Sequence, residues 1–204
     1  AVFVVIFMYA SAWEEDRLKF EFERRADTLA QALRKSFDGY LEVLHSIESF
    51  YASSHEVDRH EFRTFVKWLY IRHPGIQALE WIPRVPDDRR AAYEKAVRQD
   101  GYTNFQITER ESQRRMVRAS SREEYFPVYY VEPYEGNETA LGFDLASNPS
   151  RLEALNRSRD TGETVATARI TLVQETSRQY AFLVFQPIYA NGLPHDTEET
   201  RRRN

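Results

Sequence analysis

Residues 125–133 read YFPVYYVEP, and residues 141–147 read LGFDLAS. The first stretch is aromatic and β-branched, which is typical of a strand, and the Pro, Gly and Asn between residues 132 and 137 are typical of a turn. Residues 140–145 are expected to return as a paired strand. The two stretches therefore predict the start of an antiparallel sheet in the second half of the chain.

The rest of this half adds a helix and further strands. Ser147 or Asn148 can cap a helix that opens at Pro149 and runs to residue 158. Short strands are expected at residues 164–167 and 170–173, and a long strand is expected at 180–189. We therefore predict one α+β lobe over about residues 125–190.

A smaller group of elements precedes this lobe. Asp58 and Glu61 have the spacing of a capping box, so a helix is expected to begin there and to stop at Pro74. A first α+β lobe follows from this helix together with a strand at residues 76–85, a helix at 87–99 and a short strand at 105–108.

The N-terminal quarter has the pattern of one long helix. Apolar residues recur every three or four positions from Leu18 to Tyr51, which is the spacing of a single helical face. We predict a stalk helix over residues 14–51. Residues 1–13 carry no charge and are interpreted as the end of a transmembrane helix, with the core of a signal peptide as the alternative. Residues 193–204 are interpreted as the polar tail of a truncated domain.

Composition excludes several classes of function. The chain has 28 Lys and Arg against 32 Asp and Glu, and its basic residues are scattered, so we expect no nucleic-acid partner. It has no cysteine, which excludes thiolate chemistry and cysteine-bound zinc. Its five histidines lack metal-ligand spacing, and the common catalytic motifs are absent. We predict no catalytic residue, no metal and no cofactor.

Several phrases, in this order along the chain, resemble the CHASE domain. They are LEWIPRV at residues 79–85, YFPVYYVEP at 125–133, LGFDLAS at 141–147, and TG at 161–162 leading to TLVQE at 171–175. That family is the extracytoplasmic sensory module of membrane histidine kinases and diguanylate cyclases. The resemblance implies an α+β fold, with a long N-terminal stalk helix followed by two PAS-like lobes with antiparallel sheets. Residues 52–192 would form the sensory domain.

Asp144 is the most informative polar residue in these phrases. Its neighbours on the same strand face, Gly142 and Ala146, are small, so the residues leave two interpretations open: a ligand contact or a structural hydrogen bond. In plant cytokinin receptors, which have CHASE domains, an aspartate at this place in the motif binds the ligand. The same resemblance implies a backbone contact at or next to Ala166. Further predicted ligand-binding residues are Gly142, Tyr129, Thr167, Arg169, Leu172, Phe182 and Val184.

Three other charged residues have local interpretations. Glu80 and Glu132 lie beside Trp81 and prolines that suggest strand ends, so we interpret both as carboxylates hydrogen-bonded to backbone. Arg169 would suit an anionic ligand if it points inward, and is otherwise a solvated edge residue.

The expected function is ligand sensing rather than catalysis. We expect a small-molecule ligand and a membrane-anchored receptor whose sensory domain faces the periplasm from the inner membrane, with a histidine kinase or diguanylate cyclase output. The apolar stripe from Leu18 to Phe37 predicts a parallel homodimer through the stalk helix. The alternatives are a carboxylate-dependent hydrolase, which needs two convergent acids, and a ligand-free dimerisation spacer, which needs no cavity.

Overall fold

The chain folds into two compact units, residues 1–43 and residues 44–204. The computed structural model describes residues 2–111, 115–173 and 180–204, and for residues 2–12 and Glu15 it describes the backbone alone. The last two positions of the TLVQE phrase, 174 and 175, therefore lie outside the described residues.

The first unit is the N-terminal part of helix α1, Val2–Ala52. This helix confirms the long N-terminal helix predicted from the apolar spacing. Its stripe is exposed within the chain: Leu18, Leu29 and Leu33 expose between 58% and 66% of their surface. Among the residues that the structure describes, no helix has both the length and the apolar character required to cross a membrane. The side chains on which the predicted membrane segment at 1–13 rests lie almost entirely outside the described residues.

The second unit combines the end of α1 with short helices, 3-10 turns and short strands. The helices are α2 (Arg59–Arg72), α3 (Arg90–Gln99), α4 (Pro149–Thr161) and α5 (Glu198–Arg203). The 3-10 turns are Asp87–Arg89, Glu138–Ala140 and Leu145–Ser147. The strands are β1 (Leu79–Trp81), β2 (Val85–Pro86), β3 (Thr108–Arg110), β4 (Met116–Arg118), β5 (Glu124–Tyr125), β6 (Tyr130–Glu132), β7 (Val165–Ala166) and β8 (Val184–Phe185).

Local sequence explains where the helices begin and end. At the start of α2, the Asp58 carboxylate accepts a hydrogen bond from Glu61 N (2.8 Å), and Asp58 N donates to the Glu61 carboxylate (3.0 Å), which confirms the predicted capping box. At the start of α4, the Asn148 side chain accepts from Arg151 N (3.2 Å). Gly162, with φ of 79°, ends α4 in the left-handed conformation that glycine tolerates best.

All named strands pair antiparallel: β1 with β6, β2 with β5, β3 with β4, and β7 with β8. The pairs β1–β6 and β2–β5 join elements from the two halves of the sequence. The antiparallel pairing and the long helix confirm an α+β fold of small sheets, whereas the division into two PAS-like lobes stays a prediction.

Residues 142–145 run between β3 and the segment that connects β5 to β6. On one side, Thr108 N donates to Gly142 O (2.9 Å) and Asp144 N donates to Thr108 O (2.8 Å). On the other side, Val128 N donates to Phe143 O (3.1 Å). These bonds place the LGFDLAS phrase at the centre of the second unit.

Two apolar clusters lie on opposite sides of the backbone at Tyr125 and Phe126, because successive side chains of an extended segment alternate. The Tyr125 cluster consists of Val85, Val97, Phe105, Ile107, Ala119 and Tyr125. The Phe126 cluster consists of Phe126, Val128, Val131, Ala140, Phe143, Leu145, Ala154, Val165, Val173 and Phe185. The two clusters together form the core that positions the site described below.

Several expected elements differ from the structure. The strand expected at residues 170–173 is absent, and Ile170 forms only an isolated bridge with Ala181. Residues 140–145 do not form a strand, because the Asp144 carboxylate accepts a hydrogen bond from Ala146 N (3.1 Å) and bends the chain into a 3-10 turn. Only Val184–Phe185 of the expected strand 180–189 is a strand. The polar residues 193–204 include helix α5, which starts with the capping box of Thr197 and Thr200.

Candidate functional site

Asp144 is fully buried, and both of its carboxylate oxygens accept hydrogen bonds from other groups of the protein. Oδ1 accepts hydrogen bonds from Phe126 N (2.8 Å) and Ala146 N (3.1 Å), and Oδ2 accepts from Arg122 Nη1 (2.8 Å). Burial raises the pKa of Asp144, while the Phe126 hydrogen bond and the Arg122 charge oppose that rise. These bonds correspond to the structural hydrogen bond, one of the two interpretations of Asp144 given above. The other interpretation, ligand contact by Asp144, stays a prediction.

Gly142 is required by the close approach of two backbone segments. Its φ is +78°, and a Cβ placed there would lie 2.6 Å from Gln106 O and 3.3 Å from the Phe105 ring. The small side chain at this position therefore makes room for residues 105 and 106, and this space is not open to a ligand.

The predicted residues of the second wall lie along β7, β8 and their flanking segments. Ala166 and Arg169 are exposed, and the Arg169 guanidinium stacks 4.2 Å from the centre of the Tyr180 ring. Thr167 is buried, and its hydroxyl accepts a hydrogen bond from Leu183 N (3.0 Å). The remaining wall residues are Leu172 and Val184, which are half-buried, and Phe182, which is exposed.

Tyr129 does not lie with the predicted site residues along β7 and β8. It packs against the Tyr125 cluster, with its ring 5.7 Å from that of Tyr93. Val165 and Phe185, the buried residues of β7 and β8, belong to the Phe126 cluster. The two groups of predicted site residues therefore border different apolar clusters.

A different set of polar residues enters the Phe126 cluster: Glu80, Arg110 and Arg151, here named the interior charge cluster. Arg151, on the first turn of α4, is 4% exposed, and its guanidinium carbon lies 4.8 Å from the centre of the Phe143 ring. Its Nη2 donates to Thr171 O (3.2 Å), but its buried Nε has no hydrogen-bond partner among the described residues. A buried donor of this kind is an unsatisfied group in the protein interior.

Arg110 repeats the same arrangement from β3. Its Nη2 donates to Val173 O (3.4 Å), and its Nε is likewise buried without a partner in the described part of the chain. The two arginines thus reach carbonyls only two residues apart, Thr171 O and Val173 O, from two different elements.

Glu80 faces the same cluster from β1. Its neighbours on one strand face, Ala78 and Ile82, pack on the Phe126 cluster, and alternation places the Glu80 side chain with them. Protein atoms surround Glu80 densely, yet the side chain keeps some accessible surface and no hydrogen bond to its carboxylate is found among the described residues. The Glu80 carboxylate therefore keeps its capacity to accept hydrogen bonds in a densely packed position.

Each charged residue has an apolar neighbour that packs on the Phe126 cluster. Met116 pairs with Arg110 across β3 and β4, and Leu155 lies one helical turn after Arg151 on α4. Together with Ile82 beside Glu80, they give the interior charge cluster an apolar surround from three elements.

The charges of this cluster act on one another. Burial raises the pKa of Glu80 to about 7, and the positive charge of Arg151 opposes the rise. Burial also lowers the pKa of Arg151 to about 10, with Glu80 opposing and the like charge of Arg110 adding to the shift. At neutral pH the cluster therefore combines two guanidinium cations with a partly protonated carboxyl group.

Sequence reasoning missed this cluster. Glu80 was expected to be hydrogen-bonded to backbone at a strand end, whereas its carboxylate has no such bond to any residue within 2–111, 115–173 or 180–204. For Arg151 a signal existed, since Arg151, Ala154 and Leu155 share one face of α4. Glu132, the other carboxylate interpreted in this way, is buried and instead forms an ion pair at 2.7 Å with the exposed side chain of Arg63.

Comparison with known proteins identifies the family of the chain. The chain is 27% identical, over 198 residues and 93% of its length, to hybrid signal transduction histidine kinase A of Dictyostelium discoideum, and it spans 9% of the length of that relative. Residues 55–204 match the CHASE domain, which covers the whole of the second unit after α1. The chain therefore belongs to the CHASE domain family, as the phrases in its sequence predicted.

Proposed function

We propose that this chain is the extracytoplasmic sensory domain of a membrane-bound signalling receptor, and that a small molecule binds at the interior charge cluster. The family and the similarity to a histidine kinase support a sensory domain of signalling receptors. The location is supported by the buried Nε of Arg151, which has no hydrogen-bond partner among the residues that the structure describes.

Unsatisfied donors make the unliganded cluster energetically costly. A buried donor without a partner costs about 1–3 kcal/mol, and the cost is larger for a charged group. Arg110 and Arg151 each have such a donor, and the Glu80 carboxylate accepts no hydrogen bond from the part of the chain that the structure describes. A ligand that pairs with these groups recovers that cost, so the cluster favours the bound state.

Helix α4 offers a route from the ligand to the C-terminal end of the domain. Arg151 lies on its first turn and Asp160 on its last, about 14 Å apart by the rise of an α-helix. Asp160 O accepts from Arg201 Nε (2.8 Å), and its carboxylate pairs with Arg202 at 2.7 Å. A ligand that shifts α4 therefore displaces α5 as well.

A second route leads to the end of α1. Gln186 Nε2, just after β8, donates to the Glu48 carboxylate (3.0 Å), and Asn191 Nδ2 donates to Tyr51 O (3.1 Å). Through these bonds, movement of the β7–β8 region reaches the last turns of α1. In our proposal, α1 and α5 pass the signal towards the membrane.

The receptor proposed here is a parallel homodimer that is joined by α1, and its sensory domain faces the periplasm. The exposed stripe that contains Leu18, Leu29 and Leu33 supports this pairing, because a second copy would bury the same residues. The output domain in this proposal is a histidine kinase or a diguanylate cyclase. The hydrolase alternative needs two carboxylates in one cleft, and the interior charge cluster instead has one carboxylate with two guanidinium groups.

A thermal-shift screen of small metabolites tests the site. Leu155→Trp fills the apolar surround of Arg151, so compounds that stabilise the wild type should no longer do so. Ala166→Trp is the matched control, because Ala166 is exposed. Circular dichroism should first show that both variants fold. If the stabilising compounds are lost with Ala166→Trp and kept with Leu155→Trp, the ligand binds instead at the site predicted over Asp144 and Ala166.

A further inference from the structure

The two arginines of the interior charge cluster converge on one short segment. Arg151 reaches Thr171 O from α4 and Arg110 reaches Val173 O from β3, at 3.2 and 3.4 Å. Each uses one terminal nitrogen for this bond and keeps a buried Nε without a partner among the described residues. The remaining donors of both side chains therefore lie buried beside the same segment, residues 171–173.

The net charge of the interior charge cluster favours an anionic ligand. Two guanidinium groups face one carboxyl group, so the cluster has a positive excess, and excess charge in an apolar surround is costly unless it is paired. Guanidinium groups present their N–H donors in a planar fork that matches the two oxygens of a carboxylate. A carboxylate on the ligand therefore gives the two guanidinium groups the anionic partner that they lack.

Glu80 favours a hydrogen-bond donor elsewhere on the same ligand. Its carboxyl accepts no hydrogen bond from the described residues and keeps accessible surface in an enclosed position. A hydroxyl or ammonium group would donate to it. Ile82, Met116 and Leu155, which pack around the three charged residues, restrict the rest of the ligand to an apolar body.

We propose that the ligand is a small organic monocarboxylate with an apolar body and a hydroxyl or ammonium group, bound by Arg110 and Arg151 at the carboxylate and by Glu80 at the donor. This assignment rests on the proposed ligand-sensing function. It names the ligand class by chemistry, and the 2-hydroxy acids and 2-amino acids with apolar side chains are members of it.

Matched pairs of probes test the class on the 204-residue chain. The probes are L-leucine, L-phenylalanine and the corresponding 2-hydroxy acids, each beside its methyl ester, which removes the negative charge and keeps the body. We expect at least one acid to stabilise the chain in thermal-shift measurements and to bind at least tenfold more tightly than its ester, since a charge-assisted hydrogen bond is lost. This comparison needs only the wild type, so it does not depend on the folding of a variant.

Variants then locate the carboxylate. Arg110→Met should weaken acid binding about tenfold and leave ester binding unchanged, because it removes the charge and keeps most of the volume. Arg169→Met, on the exposed surface, is the control and should change neither. If esters bind as well as acids and Leu155→Trp blocks both, the carboxylate class is wrong while the proposed sensory site stands. If no acid of the panel binds, the class is also wrong, and the metabolite screen still tests the sensory function separately.

Discussion

The buried Asp144 carboxylate and the partly exposed Arg122 guanidinium form an ion pair at 2.8 Å that ties the segment before β5 to the centre of the second unit. Arg122 also pairs with Glu109 on β3, so one guanidinium links two carboxylates from separate elements. The Asp144 side chain adds hydrogen bonds to Phe126 N and Ala146 N. The pair is therefore a cross-link of the core.

Asp144→Ala should destabilise the domain, because it leaves Arg122 and two backbone donors without their acceptor. Breaking a buried ion pair by removing one partner costs about 3–5 kcal/mol, and we expect the free energy of unfolding to fall by about 3 kcal/mol. Urea unfolding followed by circular dichroism measures this change. Asp196→Ala, at an exposed aspartate, is the control. A variant as stable as the wild type that has lost its ligand response would instead assign Asp144 to the ligand.

Much of the fold could be predicted from local patterns. The long helix followed from the spacing between Leu18 and Tyr51, and the start of α2 followed from Asp58 and Glu61, because both signals act over one or two helical turns. Helix α4 begins at Pro149, as expected. Strand pairing is different, because β1 meets β6 across about fifty residues of intervening sequence and no local signal specifies that partner.

The candidate site was harder to predict for the same reason. An arginine on a helix is usually exposed, so the position of Arg151 on the apolar face of α4 was a weak signal, and the packing of α4 on the Phe126 cluster is what buries it. The burial of Glu80 is determined by the other elements that cover its face of β1. The small residue Gly142 indicated open space, but the backbone of Gln106 fills that space. Packing between residues far apart in the sequence determines the surroundings of all three residues, and local sequence patterns do not report such packing.

Glu80 should make the stability of the unliganded domain depend on pH. Its pKa is raised from 4.5 to about 7, so the folded state holds the proton more tightly than the unfolded chain. The resulting stabilisation is complete below about pH 4.5 and is lost as the pH rises through 7. Relative to Glu80→Gln, we expect the wild type to lose on the order of 2 kcal/mol over this range, with allowance for the accessible part of the side chain.

Chemical denaturation of both proteins at a series of pH values gives this difference directly. Carboxyl groups with lowered pKa values, such as those of Glu109 and Asp160, change stability in the opposite direction and cancel when the two proteins are subtracted. Parallel stability curves for the wild type and Glu80→Gln would show that Glu80 titrates as an ordinary exposed carboxyl.

Asp160→Ala should loosen α5 without unfolding the domain. It removes the carboxylate that pairs with Arg202, a partly exposed contact, so the free energy of unfolding should fall by at most about 1 kcal/mol. Hydrogen exchange should nevertheless become faster at residues 198–203 and stay unchanged in α3. The control is Glu198→Ala, which removes only an exposed pair within α5. Unchanged exchange in α5 would show that α4 does not hold it through Asp160.

Leu29→Asp or Leu33→Asp should weaken self-association, because each places a charge in the stripe that the proposed stalk dimer buries. Gln31→Asp adds the same charge on the opposite face of α1 and should leave association unchanged. Sedimentation velocity over a range of concentrations compares the three variants with the wild type. Equal sedimentation of the wild type and Leu29→Asp would contradict pairing through this stripe.

The most direct test of the interior charge cluster as the ligand site is the calorimetric affinity of the tightest-binding acid for the wild type and for Arg151→Met. Methionine keeps the apolar contacts of Arg151 and removes its charge and donors, so we expect the affinity to fall roughly tenfold to a hundredfold. Arg169→Met should bind the acid as the wild type does. Equal affinity of the wild type and a correctly folded Arg151→Met would contradict binding at this cluster.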